Sequence, residues 1–368
     1  MLIRDRCAEN SLGDVTVLRL RTTMNPNPNE DVDDIVSPRQ ARRQFLASKK
    51  GVVKDSTVRA YRFPTKHFIE FCEEHEIETT GDISGYVIES WKQQRRSENI
   101  KIVTLHNNVK HLRVFIRWCE SVDLVEQGLA DKMTVPNLSN EQARSDDTLR
   151  LDHAEDVLRY LKTYEYGSRN HALFHTLWHT GCRISGALAL DKNDFVQTRD
   201  KSILQFRNRK SVGTALKNGN SGERDVTISE TLRQTLVDYI EGKRENVEDD
   251  YGRDPLFTTI NGRVPRQRAY KTLVPITRPC VLTNNCPHDR VINDCEAAQS
   301  VDQAPSCPSS VSLHPIRRGS ITYHINRGWP KEKLSERVDV SVAVLDKHYD
   351  ARTKEQEREG RKEYIDLL

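Results

Sequence analysis

Leu313-His314-Pro315-Ile316-Arg317-Arg318-Gly319-Ser320 sets a histidine and an arginine three residues apart, and Tyr349 follows downstream. Far upstream lies His179-Thr180-Gly181-Cys182-Arg183-Ile184-Ser185-Gly186-Ala187-Leu188-Ala189-Leu190, where an arginine comes just after a Thr-Gly break. Arginine suits a phosphate because its planar fork of donors holds two non-bridging oxygens. Taken alone, Arg183 reads as a surface or salt-bridged arginine. In order, a remote arginine, a His-x-x-Arg pair and a late tyrosine are the residue types that phosphodiester chemistry on a tyrosine requires.

The rest of the chain bounds that reading. At 368 residues it is long enough for two domains, each with its own core. The hydrophobic fraction is 36% and the charged fraction 30%, which suits a large solvated surface. No apolar run approaches the roughly 20 residues of a membrane span. The start, Met1-Leu2-Ile3-Arg4-Asp5-Arg6, lacks the apolar centre of a secretory signal, so a cytoplasmic, nucleoid-associated protein is expected. The net charge of +3 is a weak argument for nucleic acid, because distribution matters more than the sum.

Residues 1–41 contain Asn25-Pro26-Asn27-Pro28-Asn29-Glu30 and an acidic run, and the composition predicts disorder. Residues 42–134 turn helical. Asp55 or Ser56 caps a helix burying Val58, Tyr61, Phe68, Ile69 and Cys72, with a kink or two shorter helices expected at Pro64. A second helix, 83–94, is expected to bury Ile83, Tyr86, Val87 and Trp91. A third, 102–121, turns Leu105, Val109, Leu112, Phe115, Ile116 and Cys119 inward. Lys101, Lys110, Arg113 and Arg117 fall on its other face, either a solvated face or a phosphate-tracking stripe. Residues 135–148 are polar and aperiodic, a linker. Beyond it the pattern predicts helices over 153–164 and 169–190 and a hairpin from 202–207 and 224–228. A helix over 230–242, a strand over 256–259 and a helix over 264–273 follow.

HTGCRISGALAL, LHPIRRGS and SERVDVSVAVLDKHYD together resemble the tyrosine site-specific recombinases, or phage integrases, of archaeal and XerC/XerD-like type. In that family a second His or Trp stands about 26 residues after the first histidine and nine before the tyrosine; here the count falls on Val340 and then Tyr349. The resemblance implies a mainly α fold with a small β-sheet, an α+β architecture shaped as a C-clamp on DNA. It implies a helical, SAM-like core-binding domain over 42–134, a catalytic domain over 149–352 and a C-terminal helix or tail over 353–368.

The resemblance also implies a mechanism. Tyr349 attacks the scissile phosphate to form a 3'-phosphotyrosyl link and release a 5'-hydroxyl. A free tyrosine ionises near pH 10, so it needs help. Arg183 and Arg317 clamp the phosphate, and His314 acts as general base or proton-sharing partner. Arg318 is a candidate DNA contact. The family's lysine general acid lies on a hairpin, where Lys217 stands here, with Lys210 as competitor. Two departures stand out: Val340 replaces the His or Trp, and Gly186 replaces an acidic residue commonly found three after the first arginine.

Cys280, Cys286, Cys295 and Cys307 crowd the segment 280–307, with His288 as a substitute ligand. Thiolates at short spacing fit a structural zinc, and reduced free cysteines are the other reading. Strand transfer by tyrosine needs no catalytic cofactor. The expected partners are double-stranded DNA with a specific site and further copies of the chain in a homotetramer. The tail with Tyr364, Ile365, Leu367 and Leu368 docks either on a neighbour or on its own domain. Integration, excision or resolution of DNA is the implied function. A catalytically weak, DNA-binding relative with an architectural or regulatory role is the alternative, and a topoisomerase-like relaxing enzyme is a more distant one.

Overall fold

The computed structural model describes residues 36–139, 142, 147–349 and 358. The expectations for residues 1–35 and, Arg358 apart, for the tail over 353–368 lie outside the described residues. The chain divides into two units, Met1–Ala143 and Arg144–Leu368.

In the first unit, α1 (Pro38–Lys49) starts at Ser37, whose hydroxyl accepts from the Gln40 N–H while Gln40 accepts from the Ser37 N–H at 3.0 Å. This reciprocal cap satisfies two donors the first turn leaves open. α2 (Asp55–Glu74) runs unbroken through Pro64 rather than dividing there. The nearby carbonyls find side-chain donors: Thr65 Oγ1 donates to Tyr61 O at 2.7 Å and Arg42 Nη2 to Arg62 O at 3.0 Å. α3 (Gly85–Ser97) begins after the Ser84 cap, and this phase corrects one expectation. Ile88 and Trp91 face the core whereas Tyr86 is 81% exposed. α4 (Ile102–Ser121) and the short α5 (Leu129–Lys132) complete a core of Phe45, Phe68, Trp91, Leu112 and Phe115.

The second unit opens with α6 (Leu151–Tyr164) and α7 (Arg169–Thr180). The single helix expected over 169–190 is divided at Gly181, and α8 (Ile184–Ala189) follows. A three-stranded antiparallel sheet comes next, in the order β1 (Phe195–Gln197), β2 (Ser202–Phe206), β3 (Arg224–Ile228). β2 and β3 pair with Leu204 opposite Val226, and their alternate side chains Leu204, Phe206, Val226 and Ile228 are buried. The three-residue β1 is too short to announce itself by period. α9 (Glu230–Asp238) runs into a π-helical turn, a two-residue hairpin of β4 (Thr258–Thr259) and β5 (Gly262–Arg263) follows, and then α10 (Arg266–Ile276). The cysteine-bearing segment holds α11 (Pro279–Thr283) and α12 (Glu296–Gln299). The unit ends in α13 (Leu313–Asn326), α14 (Lys331–Val338) and α15 (Val342–His348).

α13 is held close to the start of the unit. The Leu149 N–H donates to Pro315 O at 3.1 Å, and a Cβ on Gly319 would lie 2.0 Å from the Leu149 carbonyl oxygen. The glycine of the quoted segment is therefore a packing requirement: backbone lies against backbone there. Ile316, on the same helix, joins the main core with Phe174, Leu177 and Phe257. A smaller core gathers Ile321, Ile325, Leu334, Val338, Leu345 and Tyr349.

Candidate active site

Gly181 ends α7 in the left-handed conformation (φ +61°), its N–H bonded to Leu177 O at 3.0 Å. A Cβ at this position would lie 3.0 Å from Val338 Cγ1 and 3.1 Å from Ser320 Oγ, so torsion and space both call for glycine. The turn sets Arg183 at the N-cap of α8 and leaves the Gly181 carbonyl as an acceptor.

Arg317, on the second turn of α13, meets that carbonyl. It is 2% exposed; Nη1 donates to Gly181 O at 2.7 Å and Nη2 to Val338 O at 2.8 Å. Its guanidinium also hydrogen-bonds the Tyr349 hydroxyl. Burial first, and the Arg183 charge second, lower its pKa to about 10, and Tyr349 and Cys182 pull the other way. It remains cationic at neutral pH.

His314 enters one turn earlier on the same helix and stays open to solvent. Partial desolvation, then the charges of Arg318, Arg317, Arg183 and Arg266, hold its imidazole below the ordinary histidine value, so it is neutral and proton-accepting at pH 7. Tyr349 caps α15: its N–H donates to Leu345 O at 2.9 Å and its carbonyl accepts from Thr322 Oγ1 at 3.4 Å. The ring is 7% exposed, and Val340 packs against the cluster that holds it. Lys217 is exposed on the loop between β2 and β3, directly before Asn218; Lys210 lies on a separate turn, Lys210–Val212, of that loop.

Three residues that spacing did not single out complete the surroundings. Asp339 accepts from Arg183 Nη1 at 2.5 Å and from Asn218 Nδ2 at 2.7 Å. Arg224 Nε donates to Arg337 O at 2.7 Å, while Arg337 donates to Thr227 O and His179 O, each at 3.0 Å. Burial lowers both pKa values, that of Arg337 to about 10. These two arginines fasten the hairpin to α14. The only sequence signal for Asp339 is its place next to Val340, the position the nine-residue count reaches.

No family model matches the chain. By sequence it is 23% identical over 258 residues to the tyrosine recombinase XerD of Oceanobacillus iheyensis, a match covering 66% of this chain and 78% of the relative. It is 25% identical over 206 residues to the tyrosine recombinase XerC of Rhodospirillum centenum, covering 54% and 56%. Its fold is shared with the Tn1549 transposon integrase in complex with a circular intermediate DNA, at TM-score 0.62 and 14% identity over 89% of this chain and 99% of that one. It is shared as well with the XerH site-specific recombinase bound to a palindromic difH substrate, at TM-score 0.61 and 14% identity over 90% and 85%. In sequence the chain is thus similar to tyrosine recombinases, and it shares its fold with solved structures of a transposon integrase and a site-specific recombinase.

Within this recombinase fold the two departures have structural accounts. Val340 supplies packing around Tyr349 in place of a hydrogen-bonding ring. Gly186 faces Phe206, whose ring carbons would lie 3.5 and 3.7 Å from a Cβ at that position. The cysteine segment departs from expectation. Cys280, Cys286, His288, Cys295 and Cys307 do border one small cavity, with Arg278 and Arg290 on its wall. Yet among the described residues no three or more His, Cys, Asp or Glu side chains form a group that could hold a metal ion, so a zinc clip finds no support. The thiols sit on separate short turns, and His288 Nε2 is already hydrogen-bonded to Ser309 Oγ at 2.9 Å.

The candidate DNA contacts are unequal. In the first unit Lys101 and Lys110 are exposed, and Arg117 is exposed but paired with Asp131 at 2.7 Å. Arg113 is half-buried and donates to Met133 O. In the second unit Arg318 is half-buried beside His314. No helix of the described residues is long and apolar enough to cross a membrane.

Proposed function

We propose that this chain recombines double-stranded DNA at specific sites, cleaving and rejoining strands through a 3'-phosphotyrosyl intermediate on Tyr349. The observation that carries the reading is the buried Arg317 guanidinium, which bonds the turn before Arg183, the end of α14 and the Tyr349 hydroxyl. One cation thus joins the three separated segments of sequence at a single point.

In this reading the Tyr349 oxygen attacks phosphorus and the bond to the 5'-oxygen breaks. Arg183 and Arg317 stabilise the charge that develops on the non-bridging oxygens, and such stabilisation is the strongest single source of catalysis expected in a site of this kind. His314, neutral at pH 7, shares the phenolic proton. Lys217 protonates the leaving 5'-oxygen from the hairpin loop. A 5'-hydroxyl from the partner duplex then attacks the phosphotyrosine and regenerates a phosphodiester. Bond is exchanged for bond, so the reaction draws on no cofactor. The core-binding role over 42–134, with exposed Lys101 and Lys110 tracking phosphates, and the homotetramer on two duplexes belong to the same reading.

The test is covalent trapping. Duplexes enriched for binding from a randomised pool, each nicked near its centre, are incubated with wild-type protein and with Tyr349→Phe. A denaturing gel should show a protein–DNA band for wild type alone. Binding without any band would sink the proposal and favour a DNA-binding relative without strand cleavage.

A further inference from the structure

The Arg183 guanidinium lies against a carboxylate that comes from 156 residues away in sequence. Asp339 sits between α14 and α15 in the left-handed region (φ +55°, ψ +59°), where a non-glycine residue is uncommon and aspartate is enriched. That bend aims its side chain back at the hairpin and at the start of α8. Both oxygens are engaged: Oδ2 accepts from Arg183 Nη1 at 2.5 Å and Oδ1 from Asn218 Nδ2 at 2.7 Å. The carboxylate is only 13% exposed. Gly222 leaves room for it, since a Cβ there would lie 3.2 Å from Asp339 Oδ2.

We propose that Asp339 is a positioning residue for strand cleavage, a clasp whose one carboxylate fixes the Arg183 guanidinium and the Lys217–Asn218 loop relative to the segment that carries Tyr349. The inference rests on the function proposed above. Three elements meet at this side chain: the Arg183 turn, the loop of the candidate general acid, and the hinge ten residues before the tyrosine. Gly186 brings no carboxylate to Arg183 from its own helix, so the acid comes across the fold instead. The clasp also tempers a crowd of like charges. The Arg183 charge adds to burial in lowering the pKa of both Arg224 and Arg317, and one carboxylate offsets this repulsion while leaving the cluster net positive for a phosphate. Because Oδ2 takes a single N–H of Arg183, donors of its fork remain for a phosphate oxygen.

The test uses Asp339→Asn, which keeps the shape and removes the charge, with Asp339→Glu as the conservative variant and Asn218→Ala to release the loop alone. On the nicked duplexes described above, Asp339→Asn should slow Tyr349-dependent covalent complex formation by about 10²-fold, the scale of a lost alignment. Its DNA affinity should stay within about twofold and its melting temperature should remain far above the assay temperature. Asp339→Glu should recover part of the rate, and Asn218→Ala should lose less. A purely structural role would move affinity, stability and rate together. A rate equal to or above wild type in Asp339→Asn overturns the proposal, the faster outcome identifying the carboxylate as a competitor of the phosphate. A second readout needs no DNA: phenylglyoxal labelling of Arg183, followed by mass spectrometry, should quicken severalfold in Asp339→Asn. If wild type traps no DNA, the function fails on that arm while labelling still decides the clasp, and unchanged labelling overturns it.

Discussion

Arg317 and Lys110 are both cations of a chain that acts on phosphates in our reading, yet they are held in opposite ways. Arg317 is sealed from solvent with two donors on backbone carbonyls of different elements. Lys110 stands exposed on α4 of the first unit. A buried guanidinium cannot reorient, so it gives geometry, and its field acts through protein rather than salt water. An exposed ammonium gives affinity through released counterions and loses it as salt rises. The second unit is built to aim a few charges, whereas the exposed cations of the first are suited to holding a backbone loosely.

The largest effect expected from breaking this contrast is at Arg317. Arg317→Ala leaves the Gly181 and Val338 carbonyls buried without their donor, at about 1–3 kcal/mol each, and removes the charge beside Tyr349. Arg317→Lys keeps a charge but not the fork that spans two carbonyls. Trapping should fall by at least about 10²-fold in Arg317→Lys, with a lower denaturation midpoint in both variants. A lysine variant within threefold of wild type would mean that charge alone suffices there.

Next in size is the acid response of the second unit. His171, His175 and His179 recur every four residues along α7, and burial lowers their pKa values to about 4, 4 and 3. Folded, they stay neutral and accept protons poorly; His179 Nε2 takes the Ser229 N–H at 3.1 Å. Unfolded, they titrate near 6.5. Between those values the unfolded chain binds more protons, so stability is complete above about pH 6.5 and falls as the pH drops toward 4. The limiting slope is about 1.4 kcal/mol per pH unit for each histidine. Denaturant melts at pH 7.5, 6 and 5 should show the loss, and a flat series would place these imidazoles in water. His314 moves in the same direction, so cleavage should persist below pH 6.5 as long as the fold does.

How much of this was readable depended on what fixes a side chain's direction. His314 and Arg317 are three apart on one helix, so the helix itself sets their phase and spacing carries real geometry. The hairpin, too, was visible from alternation, with Leu204 and Val226 paired across it. Asp339 was hidden because its contact depends on a left-handed residue and on the empty space at Gly222, which no period announces. The cysteines are a different case: their short spacing does bring them to the border of one cavity, yet among the described residues they form no group that could hold a metal ion. Tyr86 failed through phase alone, because the helix begins at the Ser84 cap. The need for Gly319 was likewise unreadable, since the Leu149 backbone that presses on it lies 170 residues upstream.

The smallest expected effects divide the basic stripe of α4 itself. Lys101 and Lys110 are exposed, so Lys110→Ala should weaken binding of random-sequence duplex DNA uniformly and lower the slope of log affinity against log salt by about 1, with Lys101→Ala similar. Arg117 already pairs with Asp131, so its removal should change the slope somewhat less, because the carboxylate competes with phosphate for the guanidinium; both ends are well exposed, which keeps that difference small. Arg113 differs in kind: it donates to the Met133 carbonyl and fastens the end of α5 to α4. Arg113→Ala should therefore lower the melting temperature by a few degrees, about 1 kcal/mol, and leave the salt slope nearly unchanged. Slopes measured by fluorescence anisotropy from 50 to 300 mM salt, beside melts of the same variants, separate the two behaviours. Equal slopes for Arg113→Ala and Lys110→Ala would show that burial does not sort these cations, and the contrast between aimed and loosely held charge would then fail inside a single helix.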